Sequence, residues 1–144
     1  MAEITMNKYN GRVLILCEAG WRDIRELSLE LAQRGVRNSV LVKGDPGREV
    51  KEFITKHELI ENHFFPRLIF RVRLPSFIIY LRYTCGVKVC VWTNPRTERL
   101  LKPYCMLIGI RLIHFVEEGN KTPMDQAHEN IRNACLMIEE FLRP

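Results

Sequence analysis

Arg12-Val13-Leu14-Ile15-Leu16-Cys17 is an unbroken apolar run after its first residue. A strand with one wet face alternates apolar and polar side chains, so such a run marks a strand buried on both faces. Strands of this kind belong to parallel sheets covered by helices on either side. Just downstream, Asp23 reads as a helix cap with Glu26 three residues on, and Ile24, Leu27, Leu31 and Ala32 follow at helical spacing. Gly35 closes that helix, as a left-handed glycine often does. Asn38 to Lys43 makes a second strand.

Further out, Gly44-Asp45-Pro46-Gly47 is turn chemistry and Glu49 to Ile60 reads as a second helix. Phe64 to Phe70 is expected to hold strand three, with Pro66 near its start or on a bulge. Pro75 opens a short apolar helix through Tyr83, and Val87 to Trp92 is a fourth, buried strand. Asn94 and Pro95 start the next helix, which is interrupted or kinked at Pro103 and closes at Gly109. Arg111 to Val116 is strand five, with His114 buried in its middle. Thr122-Pro123 begins the last helix, whose inner face is Met124, Ala127, Ile131, Ala134, Ile138 and Phe141.

Five strands alternating with five helices predict an α/β fold. The expected form is a three-layer, doubly wound, mainly parallel five-stranded sheet, Rossmann-like or flavodoxin-like, ordered 3-2-1-4-5 or 2-1-3-4-5. All 144 residues read as a single domain, with residues 1–10 as a flexible N-terminal segment. Hydrophobic residues at 47% supply a core and exclude a disordered chain. A formal net charge of +5 permits an anionic partner without demanding one.

The five cysteines are odd in number and form no C-x-x-C pair, which points to a reducing compartment. Met1-Ala2-Glu3-Ile4-Thr5 has neither the basic nor the apolar region of a secretory signal. The longest apolar runs fall short of the ~20 residues that cross a bilayer. The expected location is therefore cytoplasmic, either free in solution or peripheral to a membrane. His57, His63, His114 and His128 share no metal-ligand spacing, so neither metal nor cofactor is expected.

In doubly wound sheets ligands bind outside the carboxyl ends of the strands. That edge comprises Cys17 to Arg22, Lys43 to Gly47, Thr93 to Arg96 and Glu117 to Asn120. The first loop holds only Gly20, too little for a dinucleotide fingerprint or a P-loop. Glu117-Glu118-Gly119 offers paired carboxylates for acid/base work or a cation, or else a solvated strand end. Cys17-Glu18-Ala19-Gly20-Trp21-Arg22 has the C-x4-R spacing that resembles the active-site loop of rhodanese-type sulfurtransferases. That resemblance implies Cys17 as persulfide carrier and Arg22 as anion clamp. The alternative reading of Cys17 is a buried structural thiol at a strand end.

A longer likeness runs over roughly residues 12–119. The first strand, a helix ending Leu31-Ala32-Gln33-Arg34-Gly35 and the second strand resemble the N-terminal domain of GT-B glycosyltransferases. Val87 to Pro95 looks like that family's strand and loop with "D-V-V-H-x-H", and Leu107 to Gly119 resembles its "L-G-I-P-x-V-x-x-x-H-G" strand and turn. Trp92 and Asn94 stand near one expected histidine, and Glu118 replaces the other. GT-B enzymes bind their donor mainly through a second domain, so the resemblance implies an acceptor-side half-domain that needs a partner chain or a second copy. It implies a nucleotide sugar or glycan at Glu18, Ala19, Gly20, Thr93, Asn94, Glu117 and Gly119; the catalytic candidates are Glu118 at this edge and, from the sulfurtransferase-like loop, Cys17 and Arg22.

Residues 62–97 contain no Asp or Glu but carry Arg67, Arg71, Arg73, Arg82, Lys88 and Arg96 among aromatic residues. This composition suits an acidic membrane surface reached through Arg67, Arg71, Arg73 and Arg82, or an interaction with an acidic partner. No nucleic-acid motif accompanies it. Its alternative is an aromatic core with a rim of solvated arginines.

Overall fold

The computed structural model describes residues 11–18, 21–44, 59–115 and 124–143. Their elements are β1 (Arg12–Cys17), α1 (Trp21–Gln33), β2 (Asn38–Lys43), β3 (Ile60–Phe65), α2 (Phe70–Thr84), β4 (Val87–Trp92), α3 (Pro95–Ile108), β5 (Arg111–His114) and α4 (Met124–Leu142). The five strands form one sheet in the order β3-β2-β1-β4-β5. Every neighbouring pair is parallel. Of the two expected orders the chain takes 3-2-1-4-5, the doubly wound Rossmann-like one. It steps outward twice from β1, then crosses back through α2 to β1's other side.

Right-handed crossovers dictate the layers. The leftward step through α1 places that helix on one face, and the rightward steps through α2 and α3 place those on the other. Two buried clusters follow. Val13, Ile15 and Cys17 pack with Ile24, Leu27 and Leu31 of α1 and Ile131, Cys135, Ile138 and Leu142 of α4. Leu14 and Leu16 pack with Phe70, Leu74, Ile78 and Leu81 of α2 and Leu101 and Cys105 of α3. The apolar run of β1 thus feeds both cores by simple alternation.

Polar pins fix the first face. Asn38 donates to the carbonyls of Ser28 (3.2 Å) and Val36 (3.3 Å), while Ser28 Oγ donates to Asn38 Oδ1. Arg34 is hydrogen-bonded to Glu139, joining α1 to α4, and this bond raises the Arg34 pKa further. Gly35, at φ 84°, ends α1 with Val36 N–H bonded to the Leu31 carbonyl at 2.9 Å. That is the Schellman closure expected of a left-handed glycine.

Several expectations need correction. Helix α1 begins at Trp21, so Asp23 lies in its first turn, where a carboxylate favours the dipole, rather than capping it. Strand three is Ile60–Phe65, so Ile60 belongs to a strand, Pro66 follows that strand and Phe70 opens a helix. Pro75 lies inside α2, forfeiting one backbone bond. Pro103 likewise lies within α3, which runs on uninterrupted to its left-handed cap at Gly109. His114 ends β5 and is exposed. At the end of α4 the buried residue is Leu142, while Phe141 is part-exposed beneath the Arg111 guanidinium, 4.5 Å from its ring centre. The expected N-terminal segment 1–10, the 45–47 turn, residues 49–58 of the expected second helix, Val116 and Thr122-Pro123 lie outside the described residues.

Candidate functional site

Strand order reverses direction between β1 and β4, which places the topological switch point beside the carboxyl ends of those strands. Glu18 is the first residue beyond β1. Its side chain is only 6% exposed. Its Oε2 accepts a 2.7 Å hydrogen bond from Thr97 Oγ1, whereas Oε1 has no hydrogen-bond partner among the described residues. Lys43, the last residue of β2, brings Nζ to 3.7 Å from Oε1. The same ammonium sits 5.6 Å over the Phe70 ring at the start of α2.

Local sequence explains how Thr97 reaches Glu18. Asn94 is extended, at φ −101° and ψ 120°, and its side chain accepts from the Arg96 N–H at 3.0 Å. Pro95 occupies the first turn, and the Thr97 N–H bonds to the Asn94 carbonyl at 3.0 Å. This cap fixes the helix start and holds the fully buried Thr97 against the end of β1.

The result is an almost buried carboxylate with one oxygen satisfied and the other not. Buried polar atoms are nearly always hydrogen-bonded, and leaving one unpaired costs about 1–3 kcal/mol. Lys43 offsets the charge without completing a hydrogen bond. Chemically, Oε1 is a buried hydrogen-bond acceptor whose nearest charged neighbour is the Lys43 ammonium. One strand further along, Trp92 and His114 stack with centroids 4.2 Å apart, adding an aromatic pair to the same edge.

The expected site residues separate. Cys17 is buried within the α1–α4 core cluster, 4% exposed. Asn94 spends its side chain on capping α3. Thr93 is half-buried at the end of β4. Arg22 lies in the first turn of α1, and its side chain is outside the described residues, as are Ala19, Gly20, Glu117, Glu118 and Gly119. The expected edge included Lys43, but Thr97 lies one residue beyond the stretch assigned to it. Only its hydroxyl, three residues after a helix cap, hinted at a role.

Burial pushes the Cys105 thiol up to about 11, the Cys135 thiol up to about 12 and the Cys90 thiol well above the ordinary range. These are core thiols, neutral at physiological pH. Two surface grooves are also present: one of about 320 Å³ between α1 and α4, lined by Glu26, Glu30, His128 and Arg132, and one of about 490 Å³ beside the end of α3. Neither lies at the carboxyl edge.

No protein-family model matches the chain, and no curated protein matches it. Among solved structures, the phenylacrylic acid decarboxylase from Aquifex aeolicus aligns over 94% of this chain and 99% of its own, at 9% identity and a TM-score of 0.48.

Proposed function

We propose that this chain is a glycosyltransferase-like half-domain that binds a nucleotide or sugar at the carboxyl edge of its sheet. One observation carries the reading: the nearly buried Glu18 carboxylate at the switch point, whose Oε1 has no hydrogen-bond donor among the described residues. Glu18 accepts a ligand hydroxyl, Thr97 fixes the carboxylate's orientation, and Lys43 balances its charge and faces an anionic group of the same ligand. Ala19, Gly20, Glu117, Glu118 and Gly119 are the further ligand contacts this reading assigns, and a partner chain or second copy supplies the remaining wall.

The test is equilibrium binding of a nucleoside-diphosphate sugar to the chain and to Glu18→Gln. A hydrogen bond to a charged group contributes about 1.5–3 kcal/mol, so the substitution weakens binding roughly 10- to 100-fold. Equal affinity for both proteins would remove Glu18 from recognition, and no binding at millimolar ligand would remove the proposal.

A further inference from the structure

Helices α2 and α3 lie on one face of the sheet, and each starts at its carboxyl edge. Their outer surface is unusual in two ways. Between residues 62 and 115 there are nine Lys and Arg against a single acid, Glu98. Arg67, Arg71, Arg73, Arg96, Arg99 and Lys102 are exposed, and no ion pair engages them among the described residues. Interleaved with them are large apolar side chains in solvent: Leu68 is 95% exposed, Val72 79% and Leu107 85%, with Met106, Tyr80 and Tyr83 also out. Leu68, Val72, Ser76 and Tyr80 fall at steps of four, so they form one stripe along α2 and the turn before it.

We propose that this face docks on an anionic lipid bilayer, lying in its surface. Exposed apolar patches mark interaction sites, and the surrounding positive charge suits an anionic partner. A bilayer surface satisfies both features at once: arginines meet lipid phosphates, aliphatic side chains enter the acyl boundary, and tyrosines sit at headgroup level. A nucleic acid satisfies only the charge, because Leu68, Val72, Met106 and Leu107 neither stack on bases nor hydrogen-bond their edges. The contact is peripheral, since no helix among the described residues is long and apolar enough to cross a membrane.

Arg82 is not part of this surface. Its Nε donates to the Ile108 carbonyl at 2.9 Å, tying the end of α2 to that of α3. The inference stands apart from the ligand reading at Glu18 and has its own test.

That test is co-sedimentation with phosphatidylcholine vesicles, with and without phosphatidylserine. The expected result is binding to the phosphatidylserine vesicles that falls about fivefold for each of Arg71→Gln and Arg73→Gln. It also collapses in the double variant Leu68→Ser, Val72→Ser. Both side chains lie in solvent, so an unchanged circular dichroism spectrum confirms that this variant is folded. The proposal would be overturned by no vesicle binding by the intact chain, by binding indifferent to the two apolar substitutions, or by binding to single-stranded DNA in place of vesicles. Self-association through this face, with vesicles ignored, would overturn it as well.

Discussion

Helices α1 and α4 bring seven acidic residues and three Lys or Arg to one face of the sheet, whereas α2 and α3 bring six Lys or Arg and one acid to the other. Inside, the two faces are alike: each is a cluster of fully buried aliphatic residues fed by alternate positions of β1. Outside, they diverge. The α1–α4 side is locked by Ser28–Asn38 and Arg34–Glu139, polar contacts that fix geometry. The α2–α3 side leaves Leu68, Val72, Met106 and Leu107 in water among exposed cations that no ion pair engages among the described residues. The two layers thus share the chemistry of their interiors and differ in that of their outer surfaces.

The largest effects test the likeness of the interiors. Leu27→Ala on one face and Leu74→Ala on the other remove fully buried side chains, and each is expected to cost about 2–5 kcal/mol in urea unfolding. A marked asymmetry between them would show that one layer is not a true core. Asn38→Ala leaves Ser28 Oγ and two buried carbonyls without their partner and is expected to cost about 1–3 kcal/mol. On the opposite outer face, the Leu68→Ser, Val72→Ser variant is expected to stay within about 0.5 kcal/mol of the parent by the same measurement. A large loss there would mean that the exposed stripe is structural.

A smaller effect is written in pH. Glu61 Oε2 lies 2.6 Å from Arg12 Nη1, and that hydrogen bond holds the Glu61 carboxyl below its ordinary 4.5. A depressed carboxylate adds stability that is complete above its unfolded value and is lost as pH falls through the folded one. The pair is partly exposed, so its contribution is at most about 1 kcal/mol. Glu61→Gln is expected to flatten the acid limb of stability against pH by that amount, leaving neutral pH to report only the lost pair. Thiol labelling grades the interiors once more: Cys85 is half-buried and is expected to alkylate first in the native state, with Cys17, Cys90, Cys105 and Cys135 protected until unfolding.

The parts of the fold legible in sequence are those where local chemistry and tertiary position agree. The apolar runs of β1 and β4 are central strands, and Asn94-Pro95 and Gly109 bound α3 by cap, proline and left-handed glycine. The bounds of strand β3 hid because it is an edge strand with Glu61 and His63 among its apolar residues. The start of helix α2 hid because Ile69 precedes it with no side-chain cap, while Pro75, a usual starter, lies inside it. At the site, the position of Glu18 after β1 was legible. Its partner Thr97 was not, being 79 residues away and joined to it only by the strand order.

The central claim is that Glu18, at the switch between β1 and β4, receives a ligand hydroxyl. The most direct measurement is a nitrogen–proton NMR titration with a nucleoside-diphosphate sugar. Shifts concentrated at Cys17–Gly20, Lys43 and Thr93–Thr97, and abolished by Glu18→Gln, are the predicted result. Shifts confined to the amino edge around Arg12, Ser39 and Glu61, or none at millimolar ligand, would contradict it.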